Sequence, residues 1–267
     1  MTRPLMLITG ASAGIGAALA REFAAHGWDL ALTARRKERL EDLAEEMKAK
    51  NGVDSLIIPI DMHTKGAPKA IMKAVADVGR HVDGIINNAG YGVPGTFTKP
   101  SWKTHADFLQ IMLIAPCELV YLALPGMVKR GFGRIINVAS LAGHTPGSMG
   151  HTLYAADKAF LIKFSQSLNL ETLGTGVHVS ALCPGFTFSE FHDVNDTRGL
   201  VSKLPNWMWK TSEEVAAIGY QAVEKNAAVR VPGFANKTIA ALAKVMPDPI
   251  AMALMRQQTK NFRVTDD

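Results

Sequence analysis

The sequence predicts an α/β protein: a doubly wound parallel sheet with helices on both faces. Three observations carry that prediction. Seven short apolar runs alternate with longer helical patterns along most of the chain. The runs are apolar on both sides of the strand alternation, as strands covered on both faces must be. Small, polar or glycine residues follow the runs, and ligands sit beyond the carboxyl ends of strands in such sheets. A β-α-β-α order further implies right-handed crossovers.

The strands are expected in PLMLIT, DLALTA, SLIIPI, DGIIN, RIINVAS, VHVSALC and AVRVP. Helices are expected near 14–26, 36–50, 65–79, 101–129, 150–174 and 211–225, the last opened by a capping box of Thr211 and Glu214. After the first strand comes TGASAGIG, in which Gly10, Gly14 and Gly16, with Ser12 and Ile15 between them, bring backbone close to a ligand. The helix starting there aims free N–H groups at an anion, which fits a dinucleotide. No Lys-Ser or Lys-Thr follows to make this a nucleotide-triphosphate loop.

After the second strand stand Arg35 and Arg36, with no acid to hold a ribose diol. Guanidinium groups there favour the 2′-phosphate of NADP(H), with NAD(H) as the other possibility. The plainer reading is a helix start with exposed basic residues. Asp61 and Met62 follow the third strand and could meet an adenine by a polar edge and an apolar face. NNAG follows the fourth, placing Asn88, Ala89 and Gly90 where backbone can approach a ligand. Ser140 follows the fifth strand, and PGFT, residues 184–187, follows the sixth. In LYAADK, Tyr154 and Lys158 are one helical turn apart and share a face.

The chain has 267 residues, 48% hydrophobic and 20% charged, enough for a substantial core. Its net charge of +5 is spread over short separated clusters, without the basic stripe and interleaved aromatics that nucleic-acid binding needs. Two cysteines, Cys117 and Cys183, lie in apolar segments and make no disulfide framework. The N-terminus lacks a leader pattern. The stretch FLQIMLIAPCELVYLALPGMV is interrupted by Gln110, Pro116, Glu118 and Pro125 and reads as a buried helix, not a membrane span. A cytoplasmic protein without a metal site is expected.

Taken together, TGASAGIG, NNAG, Ser140, YAADK and the Pro-Gly after the sixth strand resemble the short-chain dehydrogenase/reductase family, in its order and spacing, over about residues 4–190. The resemblance implies a Rossmann-type sheet of seven strands in a single domain spanning 1–267. It also implies NAD(P)(H) as cofactor, hydride exchange with a carbonyl or alcohol, and a homodimer or homotetramer. It makes Tyr154 the acid/base, giving its proton to a carbonyl oxygen in reduction and taking one from an alcohol in oxidation. Lys158 would lower the Tyr154 pKa from about 10 and hold the nicotinamide ribose, while Ser140 would orient the substrate oxygen. Pro184, Gly185 and Thr187 would line the nicotinamide, Thr187 at its amide.

One departure is expected to matter. The family usually carries an Asn in the long helix before the catalytic Ser, supporting a water that leads to the Lys; here that position holds Met112. Met cannot serve as that donor, so another polar group or a displaced water would carry the proton. A non-catalytic dinucleotide sensor, or a redox-neutral epimerase or dehydratase on the same fold, are the alternatives. The apolar segment 185–210, with Phe186, Phe188, Phe191, Trp207, Met208 and Trp209, reads as a lid over an apolar substrate, or else as a loop packed on the core. His151 and His192 are weaker candidates for the site. The stretch 234–260 reads as a Met-rich helix broken at Pro247 and Pro249, for internal packing, a subunit contact or a membrane surface.

Overall fold

A computed structural model describes residues 2–150, 152–188 and 208–261, with side chains to 257. Its strands are β1 (Leu5–Thr9), β2 (Asp29–Ala34), β3 (Ser55–Pro59), β4 (Gly84–Asn87), β5 (Gly133–Val138), β6 (Val177–Leu182), β7 (Thr187–Phe188), β8 (Lys210–Thr211) and β9 (Val229–Arg230). Seven of them form one parallel sheet in the order β3-β2-β1-β4-β5-β6-β9, and these are the seven expected runs. This is a Rossmann-type fold. The order reverses between β1 and β4, so the crevice at the ends of those two strands is where the fold offers a ligand site. The short β7–β8 pair was not foreseen; it joins the residues after β6 to the start of the following helix.

Side-chain alternation divides each strand between two helical layers. In β1, Met6 and Ile8 pack toward α1 (Gly14–Ala25), α2 (Lys37–Asn51) and α7 (Ser212–Glu224). Leu5 and Leu7 pack toward α3 (Ala67–Asp77), α4 (Trp102–Leu109), α5 (Ala115–Arg130) and α6 (Thr152–Glu171). Ile135 and Ile136 of β5 split in the same way. Buried aliphatic residues on both faces leave no wet side to the sheet. The expected capping box opens α7: Thr211 Oγ1 accepts from Glu214 N at 3.1 Å, and the Glu214 carboxylate accepts from Thr211 N at 2.9 Å.

The expected helix over 101–129 forms, with one local difference. Between α4 and α5 lies a single π turn, Gln110–Ile114, in which Ala115 N–H reaches back to Gln110 O. Pro116 follows and has no N–H to give to the Met112 carbonyl, so the regular ladder cannot run through this point. Among the described residues, Trp102–Arg130 is the one helical stretch long and apolar enough to cross a membrane. In the fold it lies on the sheet, with Phe108, Met112, Leu119 and Met127 buried. The C-terminal stretch breaks once and not twice. α8 (Phe234–Val245) ends before Pro247, while Pro249 sits in the first turn of α9 (Asp248–Asn261), where a missing N–H is harmless.

A buried polar chain ties the centre of the sheet to α6. Asn87 Nδ2 donates to Asn137 Oδ1 at 2.8 Å, Asn137 Nδ2 donates to Ser165 Oγ at 2.8 Å, and Ser165 donates to Leu161 O at 2.7 Å. These bonds align the ends of β4 and β5 with the helix that carries Tyr154 and Lys158. Truncating Asn137 leaves the buried Asn87 amide only a long 3.5 Å bond to Pro116 O, so Asn137→Ala is expected to cost about 1–3 kcal/mol of stability in a denaturant titration.

Candidate active site

The crevice is built first from backbone. Thr9 ends β1, and its hydroxyl accepts hydrogen bonds from both Asn88 N and Ala89 N, each at 3.0 Å. Asn88 Nδ2 answers by donating to Thr9 O at 3.0 Å and Gly10 O at 3.1 Å. The glycine turn and NNAG are thereby fused into one surface. A Cβ on Gly16 would stand 2.3 Å from Gly10 O and 2.4 Å from Asn88 Nδ2, so the start of α1 can lie this close only without a side chain. Gly10 also holds φ +67°. The α1 N-cap, Ala13, offers no side-chain acceptor, and the first N–H groups of α1 face the crevice mouth without a capping side chain. Thr9 and the amide of Asn88 make this geometry, and no local sequence signal marks Thr9, because its double acceptor role depends on the register of β1 against β4.

Arg36 and Arg35 diverge. Arg36 Nη2 donates to Ser12 Oγ at 3.1 Å, which brings a guanidinium to the glycine turn. A hollow of about 290 Å³ is lined by Ser12, Arg21 and Arg39 together with Asp42 and Glu46. Arg35 acts on the other side, toward Asp61. Burial pushes the Asp61 carboxyl up, but hydrogen bonds from the His63 backbone and ring, and the nearby Arg35, bring it below its ordinary value. Asp61 Oδ1 meets His63 Nδ1 at 2.7 Å, and His63 Nε2 meets the Tyr91 hydroxyl at 3.2 Å. Met62 is 5% exposed and packs into the core, so the apolar face expected of its side chain is turned inward.

The second half of the site lies past β5. Ser140 ends the strand and caps a single turn, its Oγ accepting from Ala142 N at 3.1 Å. Leu141 N donates to Pro184 O at 2.8 Å, which joins this turn to the Pro-Gly after β6. Gly143 lets the turn settle on α6: a Cβ there would sit 2.6 Å from the Lys158 carbonyl carbon. Tyr154 and Lys158 rise from α6 on one face, with Lys158 Nζ 5.5 Å from the centre of the Tyr154 ring. Lys158 is buried; its ammonium donates to Val138 O at 3.0 Å and lies 3.6 Å from Asp157 Oδ2.

The charge state differs from the expectation. Burial pushes the Tyr154 phenol up to about 12; a hydrogen bond with Ser140 opposes the rise and the Asp157 charge adds to it. The anticipated lowering by Lys158 is not what this arrangement produces, because the ammonium is turned onto Val138 O and Asp157. Burial also lowers the Lys158 pKa, with Asp157 working against that fall. Helical spacing alone places the two side chains together, but says nothing of how dry they are.

Met112 occupies the π turn with its side chain 1% exposed, and its Sδ lies 2.6 Å from where a Gly90 Cβ would be. It fills the space behind NNAG and brings no donor to the site. Thr187 is buried in β7 and donates to Gly185 O at 3.2 Å. Asn236 of α8, unremarked in the sequence, packs against Gly185, where an added Cβ would be 2.5 Å from its Nδ2. Of the 185–210 segment, Trp209 packs with Phe186 and Phe188, at 5.6 Å and 4.7 Å between ring centres. His151, His192, Phe191 and Trp207 lie outside the described residues.

The comparisons agree with this geometry. The family model for short chain dehydrogenases matches residues 4–198. A ketoacyl reductase, HetN, from Nostoc sp. strain PCC 7120 is 34% identical over 92% of this chain and 84% of that protein. A short-chain dehydrogenase from Sphingobium yanoikuyae, solved in complex with NADPH, superposes with a TM-score of 0.80 at 30% identity, covering 95% of both chains. The bulky-bulky ketone specific alcohol dehydrogenase from Comamonas testosteroni gives a TM-score of 0.75 at 25% identity, over 100% of this chain and 96% of that one. The crevice between two glycine-lined turns, with Ser140, Tyr154 and Lys158 at its inner end, therefore belongs to a member of the short-chain dehydrogenase/reductase family, and this chain is an oxidoreductase of that family acting on hydroxyl or ketone groups.

Proposed function

We propose that the protein is an NADP(H)-preferring reductase that exchanges hydride with an apolar ketone or secondary alcohol. The observation that carries this reading is the joining of Ser140, Tyr154 and buried Lys158 to the glycine-lined crevice, with Arg36 held at its mouth by Ser12. The residues fit a dinucleotide. Gly16 and Gly10 leave a cradle that a Cβ would fill, uncapped N–H groups of α1 suit a pyrophosphate, and Arg36 suits a 2′-phosphate. On this reading Asp61 would meet an adenine edge, and Asn88, Ala89, Gly90, Pro184 and Thr187 would lie along the bound dinucleotide. The NADPH held by the Sphingobium relative supports the cofactor choice, and the bulky ketone of the Comamonas relative supports the substrate class.

When bound, the dinucleotide supplies or accepts the hydride. The chain's own residues manage the proton. Tyr154 is protonated at neutral pH, the form that donates to a carbonyl oxygen as negative charge develops there. Ser140, hydrogen-bonded to Tyr154, orients the same oxygen. Lys158, buried and donating to Val138 O, would as an ammonium stabilise charge on the tyrosine oxygen once the proton has left. We read the protein as cytoplasmic and as a homodimer or homotetramer; both cysteines are free, as a reducing compartment allows. A non-catalytic sensor rests on Met112 alone and leaves the arrangement of Ser140, Tyr154 and Lys158 without a purpose.

Calorimetry on the cofactor-free protein is expected to show NADPH binding tighter than NADH by about tenfold or more, equivalent to about 1.4 kcal/mol. Equal binding would remove the NADP preference and leave the reductase; binding of neither would end the reading. Tyr154→Phe is expected to lower turnover of a carbonyl substrate about 100-fold or more, with NADPH affinity held within about threefold.

A further inference from the structure

Asp157 has no task in the mechanism above, yet it is the costliest residue in the cluster. It stands on α6 immediately before Lys158, with its side chain 1% exposed. Neither carboxylate oxygen has a hydrogen-bond partner among the described residues, and the nearest charge is Lys158 Nζ at 3.6 Å, an ion pair longer than a hydrogen bond. Burying a carboxylate on such terms is unfavourable, and an apolar residue of similar size would usually do as well for stability. The group is therefore better explained by its effect on its neighbours.

We propose that Asp157 is a positioning residue that holds Lys158 as an ammonium and Tyr154 as a phenol, and so fixes the pH window of the reaction. The arrangement brings a negative charge to both groups from the same helix. It attracts the lysine's proton and repels a tyrosinate, so both groups hold their protons to higher pH than they would without it. Carbonyl reduction needs the tyrosine protonated and the lysine charged, and Asp157 extends both conditions toward alkaline pH. Alcohol oxidation needs the tyrosinate, so the same charge moves the acid limb of oxidation upward. Burial raises the Asp157 carboxyl itself, to about 6, against the pull of Lys158. Below that pH the aspartate is protonated and its influence is lost. Two other titratable groups of the described residues couple to this cluster. Cys117 of α5 has its thiol raised by burial and by the Asp157 charge, and Cys183 after β6 is raised by burial to about 12 despite Lys158. Both are neutral thiols at working pH and leave the aspartate as the source of negative charge.

The test has one arm that is independent of the proposed activity. The four tyrosines are labelled with ¹³C at Cζ, the Tyr154 signal is identified by its loss in Tyr154→Phe, and wild type is titrated beside Asp157→Asn and Asp157→Ser. The Asn variant keeps the shape without the charge, and the Ser variant guards against a buried amide that spoils folding. Tyr154 is expected to move toward the tyrosinate position at a pH about one unit lower in both variants, with the other three tyrosines unchanged. An unmoved Tyr154 would overturn the proposal.

The second arm rests on the proposed function and follows NADPH-dependent carbonyl reduction against pH. Its alkaline limb is expected to shift downward in step with the Tyr154 signal, with wild type and variants converging below about pH 6. A uniform loss of rate with fixed limbs would mark Asp157 as merely structural and also overturn the proposal. A shifted tyrosine signal in a protein that reduces no carbonyl would uphold the charge assignment and count against the reductase reading instead.

Discussion

The structure turns on the double acceptance at the Thr9 hydroxyl. One oxygen at the end of β1 takes the N–H groups of Asn88 and Ala89, while the Asn88 amide returns bonds to Thr9 O and Gly10 O. Two loops that are 79 residues apart in sequence are thereby closed into one rim. The closure brings backbone so near backbone that Gly10 and Gly16 admit no side chain. The parallel register of β1 with β4, which pairs Ile8 with Ile86, makes these contacts possible. The shape of this rim follows from that register.

The inner end of the site depends on a different kind of contact. There the chain uses ionisable groups held dry: Lys158 and Asp157 are buried and Tyr154 is half-buried. Their protonation is a mutual property, since each charge changes the cost of the next. The buried chain from Asn87 through Asn137 to Ser165 fixes β4 and β5 against α6, and Gly143 sets the Ser140 turn down on the same helix. Ser140, Tyr154 and Lys158 are thus aligned by neutral amides and a glycine.

Much of this is legible in the sequence, because it rests on local rules. Short runs, apolar on both sides of the strand alternation, mark the seven strands, the Thr211–Glu214 spacing marks a helix start, and one helical turn puts Tyr154 and Lys158 on one face. What escaped depends on distance through space. Met62 follows a strand in a place suited to an adenine, but its side chain goes to the core. Arg35 and Arg36 are adjacent in sequence, yet a helix start sends one toward Asp61 and the other to Ser12. The pair in YAADK suggests a tyrosine made acidic by lysine, whereas burial makes it less acidic. The aspartate inside that same motif reads as an ordinary polar helix residue until its side chain is seen to be dry.

The two ends of the crevice therefore respond differently to substitution. The end at the glycine turn is made largely of main chain and absent side chains, so its failures are steric: a methyl at Gly16 meets a carbonyl oxygen at 2.3 Å whatever the pH. The end that holds Tyr154, Asp157 and Lys158 is sensitive to charge, and removing one charge from the same backbone shifts the protonation of its neighbours. The residues beyond β6 are built differently again: Phe188 of the β7–β8 pair stacks on Trp209, and Asn236 backs Gly185. None of these contacts depends on the register of β1 with β4 or on the charges of α6, so this region can vary while the two turns and the cluster of Ser140, Tyr154 and Lys158 stay in place.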